Sequence, residues 1–111
     1  MTQHFLCKQQ DLTEDKARGF TIGQKPENLE LLLVKKDGQI YAYKNHCPHL
    51  GITLNWQEDE FLSLEKTHIE CSTHGALFNL DNGHCIAGPC IGQDLQPLTI
   101  ELRDDEVWLQ I

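Results

Sequence analysis

The chain has 111 residues and is acidic, with 9 Lys and Arg against 17 Asp and Glu and a formal net charge of −8. That length suits a single domain over residues 1–111, with a core that needs no disulfide support. The acidity argues against nucleic acid, which selects basic surfaces, and no apolar run of about 18 residues offers a membrane span. The opening Met1-Thr2-Gln3-His4-Phe5-Leu6-Cys7 has neither the basic start nor the apolar centre of a secretory signal, so the cytoplasm is the expected compartment.

In chain order, the first segment with a helical pattern is residues 11–18, which reads as one helical turn. Residues 30–36 (Glu-Leu-Leu-Leu-Val-Lys-Lys) and 39–43 (Gln-Ile-Tyr-Ala-Tyr) flank Asp37-Gly38, a pair that takes the positive φ angles of a two-residue hairpin turn. Ile40 and Ala42 alternate with Tyr41 and Tyr43, as in a half-buried strand. Residues 55–66 read as a surface excursion anchored by Trp56 and Phe61. Residues 78–80 and 84–86 make a short hairpin around Asp81-Asn82-Gly83, and residues 98–102 and 107–111 make another around Asp104-Asp105. No internal repeat or low-complexity linker interrupts this series. The expected fold class is all-β, a sandwich or barrel base carrying a small inserted subdomain.

Within the insertion lie two cysteine–histidine pairs, Cys47-Pro48-His49 and Cys71-Ser72-Thr73-His74, with 21 residues between them. Glycine follows each closely, as Gly51 and Gly75. Thiolate and neutral imidazole together form a ligand set for transition metals: thiolate suits zinc and iron–sulfur clusters, and imidazole suits iron, zinc or copper. Four such donors also admit a structural tetrahedral zinc site in a binding module.

The first stretch is Asn45-His46-Cys47-Pro48-His49-Leu50-Gly51, and the second is Cys71-Ser72-Thr73-His74-Gly75-Ala76-Leu77-Phe78-Asn79. A third carries Gly88-Pro89. Together, from about residue 30 to the C-terminus, these stretches resemble the Rieske 2Fe–2S family, whose signature is C-x-H, then C-x-x-H, then a Gly-Pro turn. The resemblance implies the Rieske fold and one 2Fe–2S cluster within about residues 45–90. By it, Cys47 and Cys71 hold the inner iron, and His49 and His74 the outer one. Gly51 and Gly75 match glycines that let backbone amides approach the sulfides, and Gly88-Pro89 matches the loop that covers the far side, with Pro89 against the cluster.

Such a site is formally neutral when oxidised and singly negative when reduced, whereas a four-thiolate cluster goes from doubly to triply negative. Adding an electron to a neutral centre is easier, which raises the potential to between about −150 and +300 mV. High-potential members carry an additional cysteine in each ligand loop and a serine after the second His-Gly. Here those positions are Ile52, Thr73 and Ala76, so no disulfide joins the loops and no hydroxyl reaches a sulfide. A low midpoint is expected.

The resemblance implies a soluble Rieske-type ferredoxin, a one-electron carrier and not an enzyme, docking transiently on a ferredoxin reductase and on a terminal oxygenase or reductase. An alternative is a small Rieske subunit of an enzyme such as a nitrite reductase. The acidic surface fits steering towards a basic partner, and equally fits a protein kept dispersed by its charge. His4, His68 and His84 read as strand or surface residues, and His46 flanks the site without binding. Cys7 reads as a strand residue. Cys85 and Cys90 bracket Gly88-Pro89 as buried small residues, a local disulfide or redox-active thiols.

Overall fold

In the computed structural model, residues 3–14, 16–23, 29–46, 54, 61–62, 68–71, 75–88 and 92–110 are described. Among them, strand is the dominant regular structure, with one 3₁₀ turn. Nine strands run as β1 (Gln3–Lys8), β2 (Lys16–Ile22), β3 (Leu29–Lys36), β4 (Gln39–Lys44), β5 (His68–Glu70), β6 (Leu77–Asn79), β7 (Cys85–Ala87), β8 (Thr99–Arg103) and β9 (Glu106–Gln110). They form three antiparallel sheets, ordered β1-β9-β8, β2-β3-β4 and β5-β6-β7.

The β3–β4 hairpin turns where the sequence indicates. Asp37 and Gly38 hold φ angles of 54° and 76°, and Lys36 pairs with Gln39. The amides of Asp37 and Gly38 at this exposed turn donate to the Glu14 carboxylate. The β8–β9 hairpin turns through Asp104, at φ 53°. The β6–β7 turn ends on Gly83 at φ 70°, with the Gly83 amide donating to the Asn79 carbonyl.

Two expectations need correction. The helical turn expected over residues 11–18 lies earlier, as a single 3₁₀ turn at Gln9–Asp11, and residues 16–22 are strand β2. Pairing decides this: each residue from Lys16 to Ile22 faces a partner on β3, and the central Gly19 lowers any local helical preference. The half-buried face expected of residues 39–43 is also wrong. Leu31, Leu32, Leu33 and Val34 on β3 and Ala42 and Tyr43 on β4 are all buried.

The reason is that the sheet β2-β3-β4 lies in the middle. On one face, Leu31, Leu33 and Ala42 pack with Cys7, Leu12, Val107 and Leu109. On the other, Leu32, Val34 and Tyr43 pack with Ile69, Phe78, Cys85 and Leu95. A strand covered on both faces reads as a continuous apolar run, which the sequence Leu-Leu-Leu-Val is. Within the second core Phe61 is buried, as expected of an anchor for the excursion; Trp56 lies outside the described residues.

Candidate metal centre

The second Cys/His pair belongs to the β5–β6 hairpin. Strand pairing runs from His68 with Asn79 to Glu70 with Leu77. One step further, the Cys71 amide donates to the Ala76 carbonyl at 2.9 Å, and the Gly75 amide donates to the Cys71 carbonyl at 2.8 Å. Both backbone groups of Cys71 are thereby committed, which fixes the direction in which its thiol leaves the hairpin. Gly75 holds φ +69°, and a side chain there would meet no atom within 4 Å. Its need for glycine is therefore backbone conformation and not room.

Cys71 is wholly buried, in the same core as Ala76, Phe78 and Cys85. The third stretch packs directly upon it: a Cβ built on Gly88 (φ +95°) would stand 2.7 Å from the Ala76 Cα. Only a residue without a side chain allows that approach. So the Gly88 end of the Gly-Pro turn seats on the residue that closes the second ligand loop.

The first pair follows β4. Asn45 extends the middle sheet by one residue, its amide donating to the Glu30 carbonyl at 2.8 Å, and the His46 amide folds back to the Lys44 carbonyl at 2.9 Å. His46 is exposed. The chain is described again at Leu54, whose amide donates to Asn45 Oδ1 at 2.7 Å. Sequence reasoning quoted Asn45 but gave it no role; its place directly after a strand and two residues before Cys47 was the available signal.

Tyr43 was also missed. Its hydroxyl donates to the Leu80 carbonyl at 2.7 Å, its ring packs on Gly83, and burial pushes its pKa well above the ordinary phenol value, with Asp81 and Tyr41 adding to the effect. A strap over residues 93–97 completes the join. Cys85 donates its amide to Gln93, Leu95 to Gly83 and Lys44 to Gln96, while Tyr43 bridges Pro97. The sheet from which the first ligand segment departs is thus locked to the hairpin that carries the second.

Of the sequence-derived site residues, Cys71 and Gly75 stand as just given. Cys47, His49, Gly51, His74 and Pro89 lie outside the described residues. Among the described residues no three His, Cys, Asp or Glu side chains gather around a common centre. His4 and His68 lie on strands, and exposed His84 places Nδ1 2.7 Å from Asp94 Oδ1. Cys7 is a buried strand residue whose pKa is raised, burial outweighing the opposing Arg18 charge. Cys85 is a buried free thiol that donates to the Ala87 carbonyl at 3.2 Å; Cys90 lies outside the described residues.

A buried thiol carried on a hydrogen-bonded hairpin fits a 2Fe–2S cluster. A thiolate ligand of an iron–sulfur centre needs shielding from water and a rigid backbone, and the Cys71 position offers both. Comparison with known proteins agrees. The chain belongs to the Rieske [2Fe-2S] domain family, whose model matches residues 2–103 and so extends well before residue 30. It is 28% identical over 98 residues to the ferredoxin component of the naphthalene 1,2-dioxygenase/salicylate 5-hydroxylase systems of Ralstonia sp., covering 88% of each chain. It is 26% identical to human apoptosis-inducing factor 3, matching 95% of this chain but 16% of that protein.

Among solved structures, the fold matches the carbazole 1,9a-dioxygenase ferredoxin from Nocardioides aromaticivorans IC177, with a TM-score of 0.72, 19% identity, and coverage of 98% of this chain and 97% of that one. A terminal oxygenase of carbazole 1,9a-dioxygenase from Novosphingobium sp. KA1 matches with a TM-score of 0.75 and 23% identity, but the chain spans only 29% of it.

Proposed function

We propose that this chain is a Rieske-type ferredoxin, an electron carrier that takes one electron from a reductase and delivers it to a terminal oxygenase or another oxidoreductase. The observation that carries the reading is mutual coverage with a ferredoxin component. The chain and the Ralstonia ferredoxin component cover 88% of each other, whereas it spans under a third of the Novosphingobium oxygenase chain.

When bound, a 2Fe–2S cluster supplies a centre that accepts and releases a single electron. In this reading Cys47 and Cys71 hold its inner iron and His49 and His74 its outer iron. Gly51 and Gly75 shape the two ligand loops, and Pro89 covers the site. Cys71 keeps its thiol direction through the paired bonds of its own amide and carbonyl. The buried core around it excludes water, and the lock of Tyr43 and the 93–97 strap joins the strand that leads into the first ligand segment to the sheet that carries the second. A rigid mount limits reorganisation when charge changes. Residues 1–111 act as one such unit, and the outer, imidazole-bearing side is the face for transient docking.

The cytoplasm is the compartment we assign. Cys7 and Cys85 are buried thiols outside any disulfide, as a reducing compartment maintains, and no helix among the described residues is long and apolar enough to cross a membrane. The test is reconstitution. A dioxygenase ferredoxin reductase with NADH should reduce the protein, and the reduced protein should reoxidise on mixing with a substrate-loaded terminal oxygenase. A protein that resists reduction, or that co-purifies as a fixed subunit of one enzyme, would overturn the carrier role.

A further inference from the structure

We propose that Asn45 is the positioning residue for the first ligand segment. Its buried side-chain oxygen holds the Leu54 amide, and so closes the stretch carrying Cys47 and His49 onto the end of β4. The inference rests on the reading that these residues bind the cluster.

Among the described residues, Asn45 is the one carboxamide or charged side chain in a buried position, at 9% exposure. A carboxamide taken from water without partners costs several kcal/mol on the most apolar reference scales, so its presence needs a compensating bond. That bond is short, 2.7 Å from the Leu54 amide to Oδ1. Its two ends belong to different structures. The Asn45 backbone is the last rung of the middle sheet, through Glu30. Leu54 has no exposure and sits in the core that contains Cys71. The contact therefore ties the exit and return of residues 46–53 to each other, and to the core behind the second ligand loop.

Side-chain chemistry narrows the choice at this position. The bond requires an acceptor oxygen three bonds from the backbone, which Asn and Asp both supply. Asn supplies it without charge, whereas Asp would add a negative charge close to a centre that must accept an electron. Asn45→Asp therefore separates positioning from electrostatics: it should keep the Leu54 amide bonded and lower the midpoint. Asn45→Ala should release that amide.

The experiment uses the full chain isolated with its iron. Three readouts are taken: the rate of iron loss to excess EDTA, the EPR line shape after dithionite reduction, and hydrogen exchange of the peptide containing Leu54. Asn45→Ala should lose iron about ten- to a hundredfold faster, the range seen when a group supporting a metal ligand is removed, with a broadened EPR signal. Asn45→Asp, which keeps the acceptor oxygen, should lose iron more slowly than Asn45→Ala and keep the native line shape.

Gly38→Ala, which strains a turn on the middle sheet, is the control for general destabilisation. It should lower Tm and leave both the iron-loss rate and the line shape unchanged. If Asn45→Ala retains iron and line shape like the native protein, or behaves as Gly38→Ala does, the proposal is overturned. Should Asn45→Ala fail to accumulate, exchange in the native protein decides: slow exchange at Leu54 supports the clamp, and exchange at the rate of free peptide rejects it. Absence of iron and labile sulfide from the native protein rejects the cluster reading instead, and leaves the Leu54 measurement to judge the clamp.

Discussion

Tyr43 shows how a single side chain links stability to pH in this protein. Its phenol is buried against Gly83 and donates to Leu80, so the folded state favours the neutral form and its pKa is raised. Stabilisation from a raised acid is complete below the unfolded value, about 10 for tyrosine, and is lost as pH climbs towards the folded one. Cys7 acts in the same sense from a lower starting point. Thermal melts should therefore show Tm falling above about pH 9, between those two reference values. Tyr43→Phe should cost about 1 kcal/mol at neutral pH, the worth of one hydrogen bond, and should flatten the decline above about pH 10. An unchanged alkaline slope in that variant would show that Tyr43 does not govern it.

Ala76 is the residue to test for redox tuning. It is wholly buried at the closure of the second ligand loop, with Gly88 against it. A hydroxyl at this position could donate to a cluster sulfur and disperse the added charge. Ala76→Ser should raise the midpoint by roughly 40 mV, the equivalent for one electron of a hydrogen bond worth about 1 kcal/mol. The native protein should lie low in the range of about −150 to +300 mV. A native midpoint above about +100 mV, in the upper half of that range, contradicts the argument from the missing hydroxyl.

At the scale of elements, the glycines divide into two kinds with separable consequences. Gly38 has open space where a side chain would go and needs only its positive φ. Gly38→Ala should cost about 1 kcal/mol, the penalty of that backbone conformation. Gly88 has both the positive φ and the Ala76 backbone in the way. Gly88→Ala must push the third stretch off the second ligand loop, so it should lower iron content per chain as well as Tm. Iron assays on the two purified variants test this: equal iron content in Gly88→Ala and Gly38→Ala would deny the third stretch a part in holding the centre.

The same scale shows what sequence could and could not reveal. Hairpins at Asp37-Gly38, Asp81-Asn82-Gly83 and Asp104-Asp105 were legible because turn chemistry is local. Strand β2 was misread because its preference is set by seven partners on β3, which local sequence does not contain. The burial of both faces of β3 was present in its unbroken apolar run, but the alternation of Ile40 and Ala42 with Tyr41 and Tyr43 on β4 suggested a sheet with one open face. At the centre, the pattern of Cys47, His49, Cys71 and His74 named the family without any coordinates. The supports at Asn45 and Tyr43 were not legible, because their partners Leu54 and Leu80 are reached across the fold and are backbone groups with no residue signature.

For the whole molecule, the net charge of −8 makes a testable statement about encounter. Electron exchange with a small cationic oxidant should slow as salt rises from about 0.01 to about 0.15 M, over which the screening length shrinks from about 30 to about 8 Å. Exchange with an anionic reagent should quicken over the same span. Stopped-flow rates that respond alike to salt for both reagents would place the exchange face in a neutral part of the surface.

The central claim is that four side chains, only one of them in the described core, assemble a 2Fe–2S centre on the mount built by β4 and the β5–β6 hairpin. Low-temperature EPR of the dithionite-reduced protein tests it most directly. The account predicts a signal integrating to one unpaired electron per chain and absent from Cys71→Ser. A protein that is EPR-silent after reduction, colourless, and carrying one zinc per chain would contradict it.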